Sequence, residues 1–130
     1  DGLGFGLNNL GNIACTLGDY PVARRHFQEI LQANLERNNL ENQTVAWALA
    51  GLATVSYQQD QPLQAIELIE HVLRHPRAWQ EAKDQAVKLL AELTTKLPSA
   101  VVAAAQARAK AHELADVVAE LLDSTPIRSK

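Results

Sequence analysis

The sequence predicts an all-α protein built as a stack of antiparallel helix hairpins, with about seven helices in all. Apolar residues recur at helical spacing along most of its 130 residues. Turn and helix-breaking residues interrupt this pattern at Gly18-Asp19, at Asn38-Asn39 and at His75-Pro76. The chain also repeats itself, since Ala23 and Ala65 lie in similar segments 42 residues apart. An internal repeat of helical segments is typical of stacked supersecondary units that share one continuous core.

The internal repeat matches apolar and small residues across a whole unit. The matched pairs are Leu7 with Leu49, Leu10 with Leu52, Gly11 with Ala53, Ala14 with Ser56, Phe27 with Ile69, Ile30 with Val72, and Leu31 with Leu73. Within the first unit, Gly11 permits close packing of a second helix, and Gly18-Asp19 ends the first helix. Pro21 and Pro62 each begin a helix, where the missing N–H of proline costs little.

These signals divide the chain into three hairpins and a final helix. The predicted helices span about 3–17, 21–37, 41–59, 62–74, 79–96, 99–111 and 113–122. They form units at about 3–38 and 41–75 and a degenerate unit at 79–111, whose register stays open between two alignments one residue apart. We expect the helix at 113–122 to cap the terminal hairpin. We expect residues 123–130 to form a flexible tail.

Composition excludes several classes of protein. Apolar residues make up 47% of the chain and charged residues 21%, which indicates a folded domain. A net charge of −3 argues against a nucleic-acid-binding face. The longest wholly apolar runs, 45–50 and 100–105, are six residues each, far short of the roughly 20 residues that span a membrane. With Cys15 as its single cysteine and no secretory leader, the chain is expected to be cytoplasmic. The absence of methionine leads us to expect a piece of a longer polypeptide.

No arrangement of residues predicts an enzyme. The chain contains neither a Gly-x-x-x-x-Gly-Lys-[Ser/Thr] phosphate loop nor a Ser/His/Asp set at usable spacing, so we expect no catalysis, cofactor or metal. His71 and His75 stand four residues apart, a spacing that can bind zinc on a helix. Because Pro76 ends that helix, we interpret the two histidines as a solvated helix end near the negative pole of the dipole.

The first unit resembles the tetratricopeptide repeat. The residues that carry the resemblance are Leu7-Asn8-Asn9-Leu10-Gly11-Asn12-Ile13-Ala14, then Gly18-Asp19-Tyr20, Ala23 and Phe27. The resemblance implies a right-handed superhelix that binds a protein or peptide, or another domain of the same polypeptide, and no membrane. The 42-residue spacing and the ending at 114–122 are also similar to the C-terminal arrays of large bacterial signal-transducing ATPases and transcriptional regulators. That similarity implies a sensor or regulatory arm.

The resemblance also implies which side chains line the binding groove. They are Phe5, Asn8, Asn12 and Thr16 on the first helix, and Trp47, Thr54, Tyr57 and Gln58 on the third. Asn8 stands where carboxylate-clamping members carry lysine, so a carboxylate clamp is not expected. The two asparagines either bind a peptide backbone, or are solvated or cap structure at the unit boundary. The aromatic side chains either anchor a ligand or pack between repeats, and packing is favoured for Trp47.

A structural role in self-association is the alternative function. Each repeat relies on its neighbours to bury its apolar face, so the first helix exposes a stacking surface. The sequence places Leu3, Phe5 and Ile13 on or near that surface. A homodimer through the exposed repeat end is therefore the second hypothesis.

Overall fold

The computed structural model describes the backbone of residues 2–123 and the side chains of residues 4–123. Within that range the chain forms seven α-helices, and every predicted helix is present with bounds that differ by at most two residues. The helices are α1 (Gly2–Thr16), α2 (Tyr20–Glu36), α3 (Gln43–Gln58), α4 (Pro62–Arg74), α5 (Gln80–Lys96), α6 (Ser99–Ala111) and α7 (Leu114–Asp123). The predicted flexible tail beyond Asp123 lies outside the described residues.

Three helix ends share one turn geometry. At the end of α1, the backbone N–H of Asp19 donates to the carbonyl of Ala14, and Gly18 adopts a φ of +80°. This six-residue closure is a Schellman motif, which satisfies carbonyls that the helix end leaves open. Asn38 and Asp60 take the same left-handed position after α2 and α3, with φ of 55° and 64°. The chain therefore reverses direction at each of these points and forms antiparallel neighbours.

The helices pack in two layers. One layer runs α1, α3, α5, and each of these helices contacts the next. In the second layer α6 packs on α4, while α2 packs against α1 and α3. Successive hairpins are joined because α3 contacts both helices of the first hairpin and α5 contacts both helices of the second. No helix of the described range is long and apolar enough to cross a membrane.

The core of the first two hairpins is organised around Phe27. Its ring is fully buried on α2 and lies between Gly11 of α1 and Gly51 of α3. A Cβ added at Gly11 would stand 2.6 Å from ring atoms Cε1 and Cζ, and one at Gly51 would stand 2.6 Å from Cε1 and Cε2. The close approach predicted at Gly11 is thus made by an aromatic ring, and Gly51 on a second helix approaches the same end of that ring.

The last helix does not take the place expected for it. α7 packs against α2, with Val117, Val118 and Leu121 buried in the shared core. The Gln28 side chain, itself buried, donates from Nε2 to the carbonyl oxygen of Leu121 at 3.0 Å. The expectation that this helix caps the terminal hairpin is therefore wrong. Packing against α2 lets the apolar face of α7 join the main core, and burial of that face is favourable.

The two histidines at the end of α4 are buried, which corrects the interpretation as a solvated helix end. The His75 ring joins two turns: Nδ1 accepts from the backbone N–H of Arg77, and Nε2 donates to the carbonyl of Leu40 at 2.9 Å. His71 lies one turn earlier on α4, where α6 and the turn after it cover the helix. Helices distant in sequence therefore bury a helix end that local signals mark as exposed.

Candidate binding face on the first helix of each hairpin

We define the first-helix face as the exposed and part-exposed side chains that α1, α3, α5 and the residue before α5 present side by side: Phe5, Asn12, Thr16, Trp47, Thr54, Tyr57, Gln58, Trp79, Gln85, Glu92 and Lys96. The structure brings these side chains together in three groups. Aromatic rings gather where the helices begin, hydroxyl and amide groups lie in the middle, and a charged group lies where α3 and α5 end. A ligand lying along this layer would meet apolar groups first, then neutral polar groups, then charged groups.

The aromatic group joins all three helices. Phe5 meets Trp47 edge to face at a centroid distance of 6.1 Å, and Trp47 meets Trp79 the same way at 4.4 Å. Phe5 also stacks on Trp79 with the rings 5.4 Å apart and only 4° from parallel. Edge-to-face and offset-stacked pairs are favourable geometries for aromatic rings. Packing between repeats therefore accounts for Trp47, while Phe5 remains 41% exposed.

Trp79 is a member of this group that the sequence analysis did not include. It directly precedes α5, and its ring reaches past α3 to the ring of Phe5 on α1. The available signal was its position 32 residues after Trp47, a spacing near the usual repeat length of about 34. Because two registers of the third hairpin fit the sequence equally well, the sequence alone does not pair Trp79 with Trp47.

The middle group is a small hydrogen-bond network. Gln85 of α5 donates from Nε2 to Thr54 Oγ1 at 3.1 Å, and Thr54 in turn donates to the carbonyl of Ala50 at 3.3 Å. On α1, Asn12 is exposed. Its backbone carbonyl, not its side chain, accepts from the Thr16 hydroxyl at 3.1 Å. The Asn12 side chain is therefore accessible to a ligand, whereas Thr54 already serves the contact between hairpins.

Asn8 does not belong to the accessible surface. It is 3% exposed, and its Oδ1 has no hydrogen-bond partner among the described residues. The residue shares the buried side of α1 with Gly4, whose added Cβ would stand 3.1 Å from Thr44 of α3, and with Gly11. The prediction that its amide lines an open groove is therefore wrong, because glycines on either side bring the neighbouring helices up against it.

The charged group surrounds Tyr57. Its hydroxyl donates to Glu92 Oε2 at 3.2 Å and accepts from the Lys96 ammonium, which also stands 5.1 Å from the centre of the ring. The hydrogen bond to Tyr57 is the main reason that the pKa of Lys96 is raised, so the ammonium stays charged. Gln58 is exposed at the edge of an open cleft of about 470 Å³ that these residues line. The Tyr57 hydroxyl thus has partners inside the protein.

One family model matches this chain. The family model described as a tetratricopeptide repeat matches residues 5–78, the segment that contains most of α1 and all of α2, α3 and α4. The chain belongs to the tetratricopeptide repeat family. Together with the helices of the described range, this confirms the predicted all-α repeat fold. Comparison with curated proteins and with solved structures finds no match.

Tetratricopeptide repeats are non-catalytic scaffolds for contacts between proteins. The described residues also include few side chains that are chemically reactive. Burial raises the pKa of the Cys15 thiol, so the sulfur is held as the weakly nucleophilic thiol. The described residues include no group of three or more His, Cys, Asp or Glu side chains placed to hold a metal ion.

The buried histidine His71 gives this tetratricopeptide domain a predicted pH dependence. Burial, followed by the positive charges of Arg74 and His112, lowers the pKa of His71 from 6.5 to about 4. Burial also lowers the pKa of His75. Between pH 6.5 and 4 the unfolded chain therefore binds more protons at these rings than the folded chain does. The free energy of unfolding is expected to fall as the pH falls through this window.

Urea unfolding at pH 7 and pH 5 tests this dependence. The wild-type midpoint is expected to fall between the two pH values, and the fall should be smaller in His71→Gln because glutamine does not titrate. An equal fall in both proteins would show that His71 carries no part of the pH dependence.

Proposed function

We propose that this domain binds an extended segment of another protein, or of another domain of the same polypeptide, along the first-helix face. Membership of a family of protein-interaction scaffolds supports the proposal. The single observation that carries it is the pairing of a half-exposed aromatic group, Phe5 with Trp47 and Trp79, with accessible polar side chains on the same layer. Rigid aromatic rings supply apolar contact at low entropic cost, and amides satisfy a peptide backbone.

Each group on the face has a separate task in this proposal. The exposed edge of Phe5 receives an apolar side chain of the ligand. Asn12 donates to and accepts from the ligand backbone, because an amide offers both kinds of group. At the other end, Glu92 and Lys96 around Tyr57 select a ligand residue by charge. Recognition uses shape and hydrogen bonding and makes no covalent bond.

The biological role we propose is that of a sensor or regulatory arm in a larger signalling or transcription-regulating protein of the bacterial cytoplasm. The resemblance of the 42-residue spacing to arrays in such proteins supports it. A ligand on the first-helix face stabilises one arrangement of the array relative to the rest of the molecule. The shift in that equilibrium is limited by the difference between the ligand's affinities for the two arrangements.

A selection from a library of random peptides tests the binding proposal. Peptides retained by the wild-type domain are expected to bind the variant Asn12→Ala/Tyr57→Ala at least about ten-fold more weakly, since truncating interface anchors costs about 1 kcal/mol or more each. The matched control is Glu29→Ala, an exposed position on α2 outside the face. Circular dichroism should show unchanged helicity in both variants.

Two results would contradict the proposal. The first is a selection that enriches no peptide. The second is a set of peptides that bind the face variant and the wild type equally well. Loss of helicity in the double variant would instead mark Asn12 and Tyr57 as residues required for folding.

Self-association is a second candidate function, and one observation favours it. Leu10 and Ile13 on α1 and Leu17 directly after it form a stripe and are 49%, 55% and 77% exposed. In the second unit, 42 residues on, Leu52 and Val55 occupy the places of Leu10 and Ile13 and are fully buried. The preceding hairpin covers those residues, so α1 presents a surface of the kind that a further helical hairpin covers.

Sedimentation equilibrium from micromolar to millimolar concentration tests self-association. If the stripe mediates it, the wild-type mass rises with concentration and Ile13→Glu stays monomeric, because a charge on the apolar stripe opposes association. Val87→Glu on α5 is the matched control, since Val87 is 54% exposed away from the stripe. A wild-type protein that stays monomeric throughout the range would eliminate this candidate.

A further inference from the structure

A cleft lies between α4, α6 and the second half of α7. It has a volume of about 610 Å³, and its lining includes Leu63 of α4, Val101 and Ala104 of α6, and Glu120 of α7. None of these residues belongs to the first-helix face, and the peptide-binding proposal does not use them. We call this feature the α7 cleft.

The walls of the α7 cleft carry two exposed apolar side chains. Leu63 is 49% exposed and Val101 is 36% exposed, and they line the cleft from different helices. Exposed apolar side chains that are scattered singly over a protein need no explanation. Two that meet in one concave site form an apolar surface, and an apolar side chain placed between them would remove that surface from water.

The charge left uncompensated at the cleft is negative and lies on its α7 side. Glu67 of α4 and Arg108 of α6, which also line the cleft, pair with each other at 2.6 Å. Glu120 is exposed and forms no ion pair with a cation of the described residues. It shares one face of α7 with Asp116 and Asp123, at the spacing i, i+4, i+7, and α7 contains no basic residue. A basic side chain is therefore the complementary neighbour for this edge.

The segment that directly follows α7 has the matching chemistry. Residues 124–130 read Ser-Thr-Pro-Ile-Arg-Ser-Lys, so one large apolar side chain, Ile127, is followed at once by a basic residue, Arg128. Glu120 stands about one turn before the last residue of α7, so the segment begins beside the cleft. Four residues of extended chain span about 13 Å, which gives Ile127 the reach to enter it.

We propose that residues 124–130 dock in the α7 cleft of their own chain, with Ile127 between Leu63 and Val101 and with Arg128 beside Glu120. The segment is tethered next to the cleft, so its effective concentration there is on the order of millimolar. A contact too weak to hold a free peptide is then sufficient. Docking joins the end of α7 to α4 and α6. Local sequence signals predict a flexible tail instead, because a cleft formed by three helices leaves no trace in the tail's own residues.

Nuclear magnetic resonance of the full 130-residue chain with labelled methyl groups tests the docking. Nuclear Overhauser contacts are expected from the Ile127 methyl groups to those of Leu63 and Val101. Leu63→Ser is expected to abolish the contact between Ile127 and Val101, because it removes one apolar wall of the cleft. The matched control is Val87→Ser on α5, where Val87 is 54% exposed and lies outside the cleft lining, and the contacts should persist in it.

Ile127→Ser and deletion of residues 124–130 extend the test without changing the cleft itself. Both are expected to shift the methyl signals of Leu63 and Val101 and to leave the signals of Val87 in place. Absence of any contact from Ile127 to Leu63 or Val101, or contacts that persist in Leu63→Ser, would overturn the proposal. Contacts that occur only between differently labelled copies in a mixed sample would also overturn it, since they would assign the cleft to a second copy of the chain. Leu63 is half-exposed, so its replacement leaves the core intact.

Discussion

Phe27→Ala is expected to lower the free energy of unfolding by about 3–5 kcal/mol, the largest effect of any single substitution considered for this protein. The ring is fully buried, and it contacts α1 at Gly11 and α3 at Gly51. Its removal deletes the apolar surface of one aromatic side chain and leaves a cavity between three helices. Glycines cannot fill that cavity, since they carry no side chain that might move into it.

Urea unfolding followed by circular dichroism measures this effect. Phe5→Ala is the matched control, because Phe5 is also aromatic and lies on α1, yet remains 41% exposed. Its truncation should cost much less, since much of the ring is already in contact with solvent in the folded state. If the two substitutions lowered the midpoint equally, Phe27 would not be the centre of the core.

Gly51→Ala is expected to destabilise the domain by about 1–3 kcal/mol, even though alanine is the better helix former by about 1 kcal/mol. The new methyl group would stand 2.6 Å from atoms Cε1 and Cε2 of Phe27, closer than side chains approach one another. The ring has little room to move, because it is fully buried and Gly11 of α1 lies against the same end of it, at Cε1 and Cζ. Gly11→Leu should be destabilising for the same reason, by a similar or larger amount.

Gly6→Ala provides the control for the glycine substitutions. A Cβ at Gly6 meets nothing within 4 Å, so this change should be neutral or stabilising by up to about 1 kcal/mol. Combining Gly51→Ala with Phe27→Leu should recover part of the loss, since the smaller side chain relieves the clash. Additive losses in that double variant, or an unchanged midpoint in Gly51→Ala alone, would refute the close approach of Gly51 to the ring.

The sequence was sufficient to predict the helices and the close approach at Gly11. Helical spacing of apolar residues and turn residues such as Gly18 are local signals, and they located every helix of the described range to within two residues. The internal repeat identified Gly11 and Phe27 as key positions of a unit. It paired Gly11 with Ala53, however, and so did not single out Gly51, which also lies against the Phe27 ring.

The candidate site was predicted less well, because exposure depends on which helix covers which. Asn8 and Asn12 share a helix face and have the same chemistry, yet the first is buried and the second exposed. Trp79 completes the aromatic group only because α5 brings it to Phe5 across α3. His71 was interpreted as solvated, since nothing near it in sequence indicates that α6 and the turn after it pack over the end of α4.

By itself, then, the sequence determined the helical repeat, its turns and its membership of a binding family, because each of these depends on short-range patterns that the backbone must obey. The tertiary structure alone decided the place of α7 on α2, the joining of three aromatic rings and the burial of His71 beside Arg74 and Lys110. These features depend on contacts between residues far apart in the chain. Such contacts follow from how much apolar surface each possible packing buries, a quantity that belongs to the whole fold.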